Sequence, residues 1–233
     1  RFLGRDVLAI GDAPTDITSH SVATSHFYDI FRYQILDTNS YIEEIWAYGY
    51  WAIDRCARII KEGASFKEVT KGDLAEVEGC IAQAYAIKAL CSFYLTNMFG
   101  LPYSEANKTT LGIVNVTEPV PAYSQVSRVS VEQNYSLILD DITKAKEYYA
   151  KEGVENVGKQ YMNTAAVAAL EARVKLYMKN YEGAITAAQE AITLSGGTIV
   201  STKEDYKNMY TTLAVSTEDI FFIAKAEDDY LSA

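Results

Sequence analysis

Cys80-Ile81-Ala82-Gln83-Ala84-Tyr85-Ala86-Ile87-Lys88-Ala89-Leu90-Cys91-Ser92-Phe93-Tyr94-Leu95-Thr96-Asn97-Met98-Phe99, followed by Gly100-Leu101-Pro102, is the stretch whose reading decides the fold. Lys88 is the only charge between Cys80 and Phe99. A run of this length raises the question of a membrane span. Gln83, Ser92, Thr96 and Asn97 join Lys88 on several faces, however, and the alanines suit close approach of neighbouring helices. The run therefore reads as the buried central helix of a bundle. Asp73, with Glu76 three residues on, has the pattern of a capping box at its start. Gly100 and Pro102 stop it. A helix over 74–98 spans about 37 Å, the width of a domain.

Working outward, the apolar positions Ile42, Ile45, Trp46, Gly49, Ile53, Cys56 and Ile60 recur at spacings of three and four. That spacing predicts an amphipathic helix over 41–62, paired with the central one and terminated by Gly63. Ser130 with Gln133 predicts a capped helix to about Ala150, with Val131, Tyr135, Ile138, Ile142 and Ala145 facing the core. Asn163 caps a helix over 164–179, and Asn180 or Tyr181 opens another that ends before Gly196-Gly197. Two helices joined by so short a turn must be antiparallel neighbours. Their pattern, Ala169-Leu170, Ala172, Leu176-Tyr177, Tyr181, Ala184-Ile185, Ala188, Ala191-Ile192, resembles a tetratricopeptide unit over 163–195. The Lys179-Asn180 turn departs from that consensus, being one residue shorter and lacking its glycine. Thr202 with Asp205 caps a short helix to Met209, and 217–223 reads as a short strand. Residues 1–40, apart from a turn at Asp12–Asp16, and residues 101–129 read as irregular connections. The expected architecture is all-α with little strand: a single tetratricopeptide-like helical domain over 1–233 that carries long loops.

The chain has 233 residues, 49% of them hydrophobic, enough for a sizeable core. Lys and Arg number 21 against 31 Asp and Glu, a net charge of −10 that would repel a phosphate backbone or an anionic membrane. Tyrosine is the outlier at 18, with 8 Phe and 2 Trp. Such a composition needs many half-wet aromatic positions, because Tyr has an apolar body and a polar tip. Cys56, Cys80 and Cys91 are odd in number and widely spaced, and are expected as buried free thiols. Arg1-Phe2-Leu3 at one end and Leu231-Ser232-Ala233 at the other read as the edges of a fragment of a longer chain.

Three blocks carry a family resemblance. Ile87 to Pro102 is similar to a Leu-Arg-Ala helix ending in Phe-Gly-x-x-Pro, with Lys88 in place of the Arg and Pro102 one residue early. Arg128-Val129-Ser130, then Tyr135, Ile138, Asp141-Ile142 and Ala145, resembles a block of Arg, a Ser/Thr cap, Tyr, Ile, Asp-Leu and Ala. Ala165-Ala166 and Ala169-Leu170-Glu171-Ala172-Arg173-Val174-Lys175-Leu176-Tyr177 resembles an Ala-rich helix ending in Ala-Arg-Val-x-Leu-Tyr. In this order and spacing they resemble the SusD/RagB family of Bacteroidetes. The resemblance implies a cell-surface outer-membrane lipoprotein that binds glycan or another nutrient for a partner TonB-dependent, SusC-like transporter. It implies binding without catalysis and without cofactor. Members are about twice as long, so it also implies a lipidated N-terminal segment and a C-terminal part outside this chain. Where the first helix usually has Asn near its end, this chain has Cys56.

Sugars are held by C–H faces stacked on aromatic rings and by hydroxyls bonded to planar polar groups. Residues 18–41 supply that mix: His20, His26, Phe27, Tyr28, Asp29, Phe31, Arg32, Tyr33, Asn39 and Tyr41. Phe27, Tyr28, Arg32, Tyr33, Asn39 and Trp51 are the candidate glycan-binding residues. The competing reading is that these aromatics pin the loop to the bundle. Trp46 and Trp51 sit five apart, about 500° around a helix, so they point in different directions. Trp46 shares the face of Ile42, Ile45 and Ile53 and is expected in the core. The two histidines lie near no acidic or cysteine cluster at ligand spacing, so no metal site is expected. Ser25, His26 and Asp29 can be assembled into a triad only on paper. Asp140 and Asp141 are neighbours on a helix and point apart, unlike the facing acids of a glycosidase. The rival function is a tetratricopeptide-type scaffold that holds a protein segment in its helical groove.

Overall fold

The structure is a computed structural model and describes residues 2–21, 25–66, 71–212 and 215–224. The helices are α1 (Val7–Asp12), α2 (Tyr28–Phe31), α3 (Ser40–Ala64), α4 (Lys71–Phe99), α5 (Val131–Tyr149), α6 (Thr164–Tyr177), α7 (Tyr181–Ser195) and α8 (Lys203–Thr211). A π-helical turn, Phe2–Asp6, leads into α1. Two short strands, β1 (Leu111–Val114) and β2 (Arg128–Ser130), pair antiparallel, with Leu111 opposite Ser130 and Val114 opposite Arg128. The all-α reading with little strand holds. The chain divides into two compact units: the described residues up to Ala52 with Ile223 and Ala224, and Ile53–Phe222.

In the second unit, α4 is the central element. Ile81, Ala82, Ala84, Ala86, Lys88 to Phe93, Leu95 and Thr96 are all buried, on every face of the helix. It packs along α5, whose buried stripe is Val131, Asn134, Tyr135, Ile138, Asp141, Ile142, Ala145 and Tyr149. Lys88 Nζ donates to Asp141 Oδ1 at 2.9 Å inside this interface. The paired acids at 140–141 do point apart, since Asp140 is exposed. Burial pushes Asp141 up to about 6 against the opposing pull of Lys88. The charge in the otherwise apolar helix is thus half of a buried ion pair.

The capping residues act as their local chemistry requires. Ser130 and Gln133 form a reciprocal capping box. Asn163 accepts from Ala166 N–H, Asn180 from Gly183 N–H, and Thr202 from Asp205 N–H. α6 and α7 form the antiparallel pair expected over 163–195. Ala184, Ala187 and Ala191 let them approach; Ala188 is half-buried, while Ile185 and Ile192 of the tetratricopeptide-like pattern are exposed. Lys146 of α5 bridges Glu171 of α6 at 2.5 Å and Glu190 of α7 at 2.6 Å, and Lys175 also reaches Glu171. Burial alone would raise Glu171, but its hydrogen bonds from Lys146 and Lys175 hold it below the ordinary carboxylate range.

Several expectations are corrected. Gly63 does not end its helix, which runs to Ala64; a Cβ there would come within 2.8 Å of the Ile81 side chain, so this glycine permits close contact with α4. The central helix begins at Lys71, ahead of the Asp73 pattern. Cys56 and Cys91 are buried and burial raises both thiols, Cys56 to about 11, but Cys80 is exposed near the less covered start of α4. Residues 217–223 are not a strand: a turn is followed by a bend at Ile220 and irregular chain bonded to a loop and a cap. Phe222 N–H donates to Lys159 O at 3.0 Å and Asn163 Nδ2 donates to Ile220 O at 3.4 Å. The connection over 101–129 contains the β1–β2 pair. Its base is clamped by Asn134, which accepts from Ile113 N–H at 2.8 Å and donates to Ile113 O at 3.2 Å. The first 40 residues are not wholly irregular either. Buried Phe2, Val7 and Ile30 order the first helical turns and α2.

Candidate functional site

The residues singled out in 18–51 fall in the first unit. Buried Ile30 anchors the single turn of α2, and the chain enters that turn through Phe27 in a left-handed conformation, φ 56°. The Phe27 ring consequently stacks on Tyr41 of α3, with centroids 4.1 Å apart and planes at 24°. His26 Nδ1 shares a 3.0 Å hydrogen bond with Tyr41 Oη, and His20 Nε2 shares one of 3.0 Å with His26 O. The His20 ring lies 4.9 Å from Tyr28 and 5.7 Å from Phe31. Arg32 Nη1 donates to Tyr28 Oη at 2.9 Å and its guanidinium stands 5.5 Å from the Tyr28 ring centre. Beside this cluster is a hollow of about 230 Å³ lined by Ala9, Asp12, Thr18, His20, Phe27 and Phe31.

Phe27, Tyr28 and Arg32 are therefore brought together through His20, His26 and Tyr41. Tyr33 leaves α2 in a second left-handed conformation, φ 56°. Its hydroxyl donates to Pro14 O and its side chain is 74% exposed. Asn39 is used differently: its Oδ1 accepts from Tyr41 N–H at 3.1 Å and Ile42 N–H at 3.3 Å, which caps the start of α3. Trp51 stands apart. It is ten residues beyond Tyr41 on α3, about 15 Å of helix rise, and is 58% exposed in edge-to-face contact with Tyr48 at 5.1 Å. Trp46 is half-buried against Tyr50 at 4.7 Å, so it enters the core only in part. The linking role of His20 and Tyr41 has no signature in spacing; it depends on the fold of the loop.

Chemically, the cluster offers the exposed Tyr28 ring and the Arg32 guanidinium, while the hollow beside it is lined by the two imidazoles, the Asp12 carboxylate and the Phe27 and Phe31 rings. It can stack an apolar ligand face and hydrogen-bond hydroxyls. Among the described residues no group of three or more His, Cys, Asp or Glu is placed to hold a metal ion. Among the same residues no helix is long and apolar enough to cross a membrane.

The class of protein is thus a mostly helical scaffold with an aromatic loop region. A SusD-like family model described as "Starch-binding associating with outer membrane" matches residues 5–176. The chain belongs to the SusD/RagB family. A SusD superfamily protein from Bacteroides thetaiotaomicron matches with a TM-score of 0.79 at 25% identity, over 93% of this chain and 47% of that one. A SusD superfamily protein from Bacteroides vulgatus gives 0.82 at 24% identity, over 97% and 51%. A laminarin-binding SusD-like protein shares the fold at 0.58 and 20% identity, over 78% and 37%. The chain thus spans about half the length of the first two of these relatives. No curated protein matches it.

Proposed function

We propose that this chain is part of a cell-surface glycan-binding lipoprotein of the outer membrane. It captures oligosaccharide and passes it to a partner TonB-dependent, SusC-like transporter. Ligand is held by ring stacking and hydrogen bonds, with no covalent chemistry. The observation that carries this reading is the family match over residues 5–176. The solvent-facing Tyr28, Arg32 and Tyr33 supply the kind of surface it needs, with Phe27 and Asn39 ordering the loop that bears them and Trp51 offering a separate exposed ring.

Isothermal titration against amylopectin, laminarin, xylan and host-type glycans tests it. Binding to at least one glycan, weakened five-fold or more by Tyr28→Ala with Arg32→Ala, is the expected result. Silence across the panel from the longer protein would count against glycan as the ligand.

One observation favours the scaffold reading. The chain's own Ile220 and Phe221 line a hollow of about 300 Å³ together with Leu90, Ala166, Ala169 and Leu170, so that groove already takes a non-helical segment. That reading predicts a peptide ligand, and binding indifferent to Tyr28→Ala, Arg32→Ala and Tyr33→Ala.

A further inference from the structure

Four non-glycine residues among those described hold a left-handed backbone: Phe27 (φ 56°), Tyr33 (56°), Tyr123 (63°) and Lys179 (62°). Residues with a Cβ adopt this region at a steric cost. Lys179 has a structural reason, since it closes the tight α6–α7 turn where the tetratricopeptide consensus has glycine. The other three are aromatic. Phe27 and Tyr33 belong to the loop region described above. Tyr123 has no such assignment.

Tyr123 occupies the third position of the turn Pro121-Ala122-Tyr123-Ser124, closed by Ser124 N–H donating to Pro121 O at 3.2 Å. A left-handed residue at that position is ordinarily Gly or Asn. The side chain is fully solvent-exposed, at 103% of its reference area, and among the described residues it makes no hydrogen bond or ring contact. Nothing in the described fold offsets the backbone cost, and a strained residue kept without a packing role points to a role outside the fold. The turn lies on the loop between β1 and β2, whose base is fixed by strand pairing and by the Asn134 clamp. Pro119 and Pro121 stiffen the loop, and Glu118 is the only charge from Thr117 to Ser127. Exposed Ser124 and Gln125, with a hydroxyl and an amide, follow Tyr123 in the chain.

We propose that Tyr123 is a carbohydrate-contact residue, its ring taking the apolar face of a neutral sugar while Ser124 and Gln125 bond sugar hydroxyls. The proposal rests on the glycan-binding reading above and concerns the second unit. The scarcity of charge favours a neutral sugar over an acidic one. A single ring on a narrow turn suits one sugar unit, whereas a stable protein interface takes about 800 Å² from each partner.

Affinity electrophoresis of the whole chain in native gels cast with amylopectin, laminarin, galactomannan or xylan tests this. Tyr123→Ala and Tyr123→Gly should weaken five-fold or more the binding of whichever polysaccharide retards the wild type. Tyr123→Phe should stay within two-fold of it. Tyr123→Gly should melt at or above the wild-type temperature, because glycine relieves the left-handed position. Retardation of Tyr123→Ala equal to that of a retarded wild type overturns the assignment and leaves the glycan reading standing. A wild type retarded by none of the four overturns the assignment of Tyr123 to a neutral polysaccharide, while the glycan reading itself falls only with the titration of the longer protein. A Tyr123→Gly variant that melts several degrees lower overturns the strain argument on which the assignment stands.

Discussion

α4 and the segment Ser25–Leu36 are built on opposite physical terms. α4 is held by area: it is buried on every face through its central turns and answers to many neighbours at once. The segment is held by a few directional contacts, Phe27 on Tyr41, Arg32 on Tyr28 and Tyr33 on Pro14, around the single buried anchor Ile30. Tyr33, Ile35 and Leu36 remain exposed. Packing makes the first region costly to change and indifferent to ligand. The second is cheap to change and keeps Tyr28 and Tyr33 exposed. A substitution in α4 should therefore be read in stability, and one in the segment should be read in binding.

The largest expected effect tests the first half of that comparison. Lys88→Met leaves Asp141 buried without its partner and should destabilise by about 3–5 kcal/mol at pH 8 in urea unfolding. The pH dependence has a definite sign. Asp141 already stands at about 6 in the fold, above the 3.8 of a free aspartate. Its contribution is therefore fully present below about pH 3.8 and is lost as pH rises through 6, a change of roughly 3 kcal/mol. Without Lys88 its pKa rises further, so Lys88→Met should be less damaging at pH 5 than at pH 8. The double change Lys88→Met with Asp141→Leu should recover most of the loss, because the pair's attraction does little more than offset its desolvation. Equal damage at both pH values would show that packing around Lys88, not charge, is what α4 needs there.

A smaller effect lies where bundle and loop meet. A Cβ on Gly112 would fall 2.0 Å from Asn134 Oδ1, the acceptor for Ile113 N–H. Gly112→Ala must displace the clamp, at about 1–3 kcal/mol. Thermal melting gives the magnitude, and faster amide exchange at Ile113 would locate it. An unchanged melting curve would mean the loop base is not coupled to α5, against the present account.

These two sites also show which parts of the fold were legible in the sequence. The caps at Ser130, Asn163, Asn180 and Thr202 were readable because they depend on an oxygen and an N–H three residues away. The central helix was readable because its run is too long and apolar for a surface element. Pairings across the chain were not. Lys88 and Asp141 both stood in recognisable blocks, yet nothing local joins residues 53 positions apart. Gly63 looked like a stop because its true cause, the Ile81 side chain, belongs to another helix. For the candidate site, composition located the aromatic stretch and helix rise separated Trp51 from it. The left-handed backbone at Phe27, Tyr33 and Tyr123 left no mark, since those positions carry no glycine or asparagine to announce it.

The smallest effect separates strain kept for structure from strain kept for ligand. Lys179 and Tyr33 have nearly the same φ, 62° and 56°, and both are exposed. Lys179→Gly should stabilise by about 0.5–1 kcal/mol, because the turn keeps its Lys179 N–H to Leu176 O bond and loses only the steric cost of the Cβ. Glycan binding should be untouched. Tyr33→Gly relieves the same backbone but also loses the hydrogen bond to Pro14 O, so its stability should change by less than about 1 kcal/mol in either direction. Its glycan affinity should nevertheless fall. Chemical denaturation and titration on the same two variants make the comparison. If Tyr33→Gly binds as the wild type does, the left-handed rings of the first unit are loop fasteners, and strain loses its value as a marker of the ligand face.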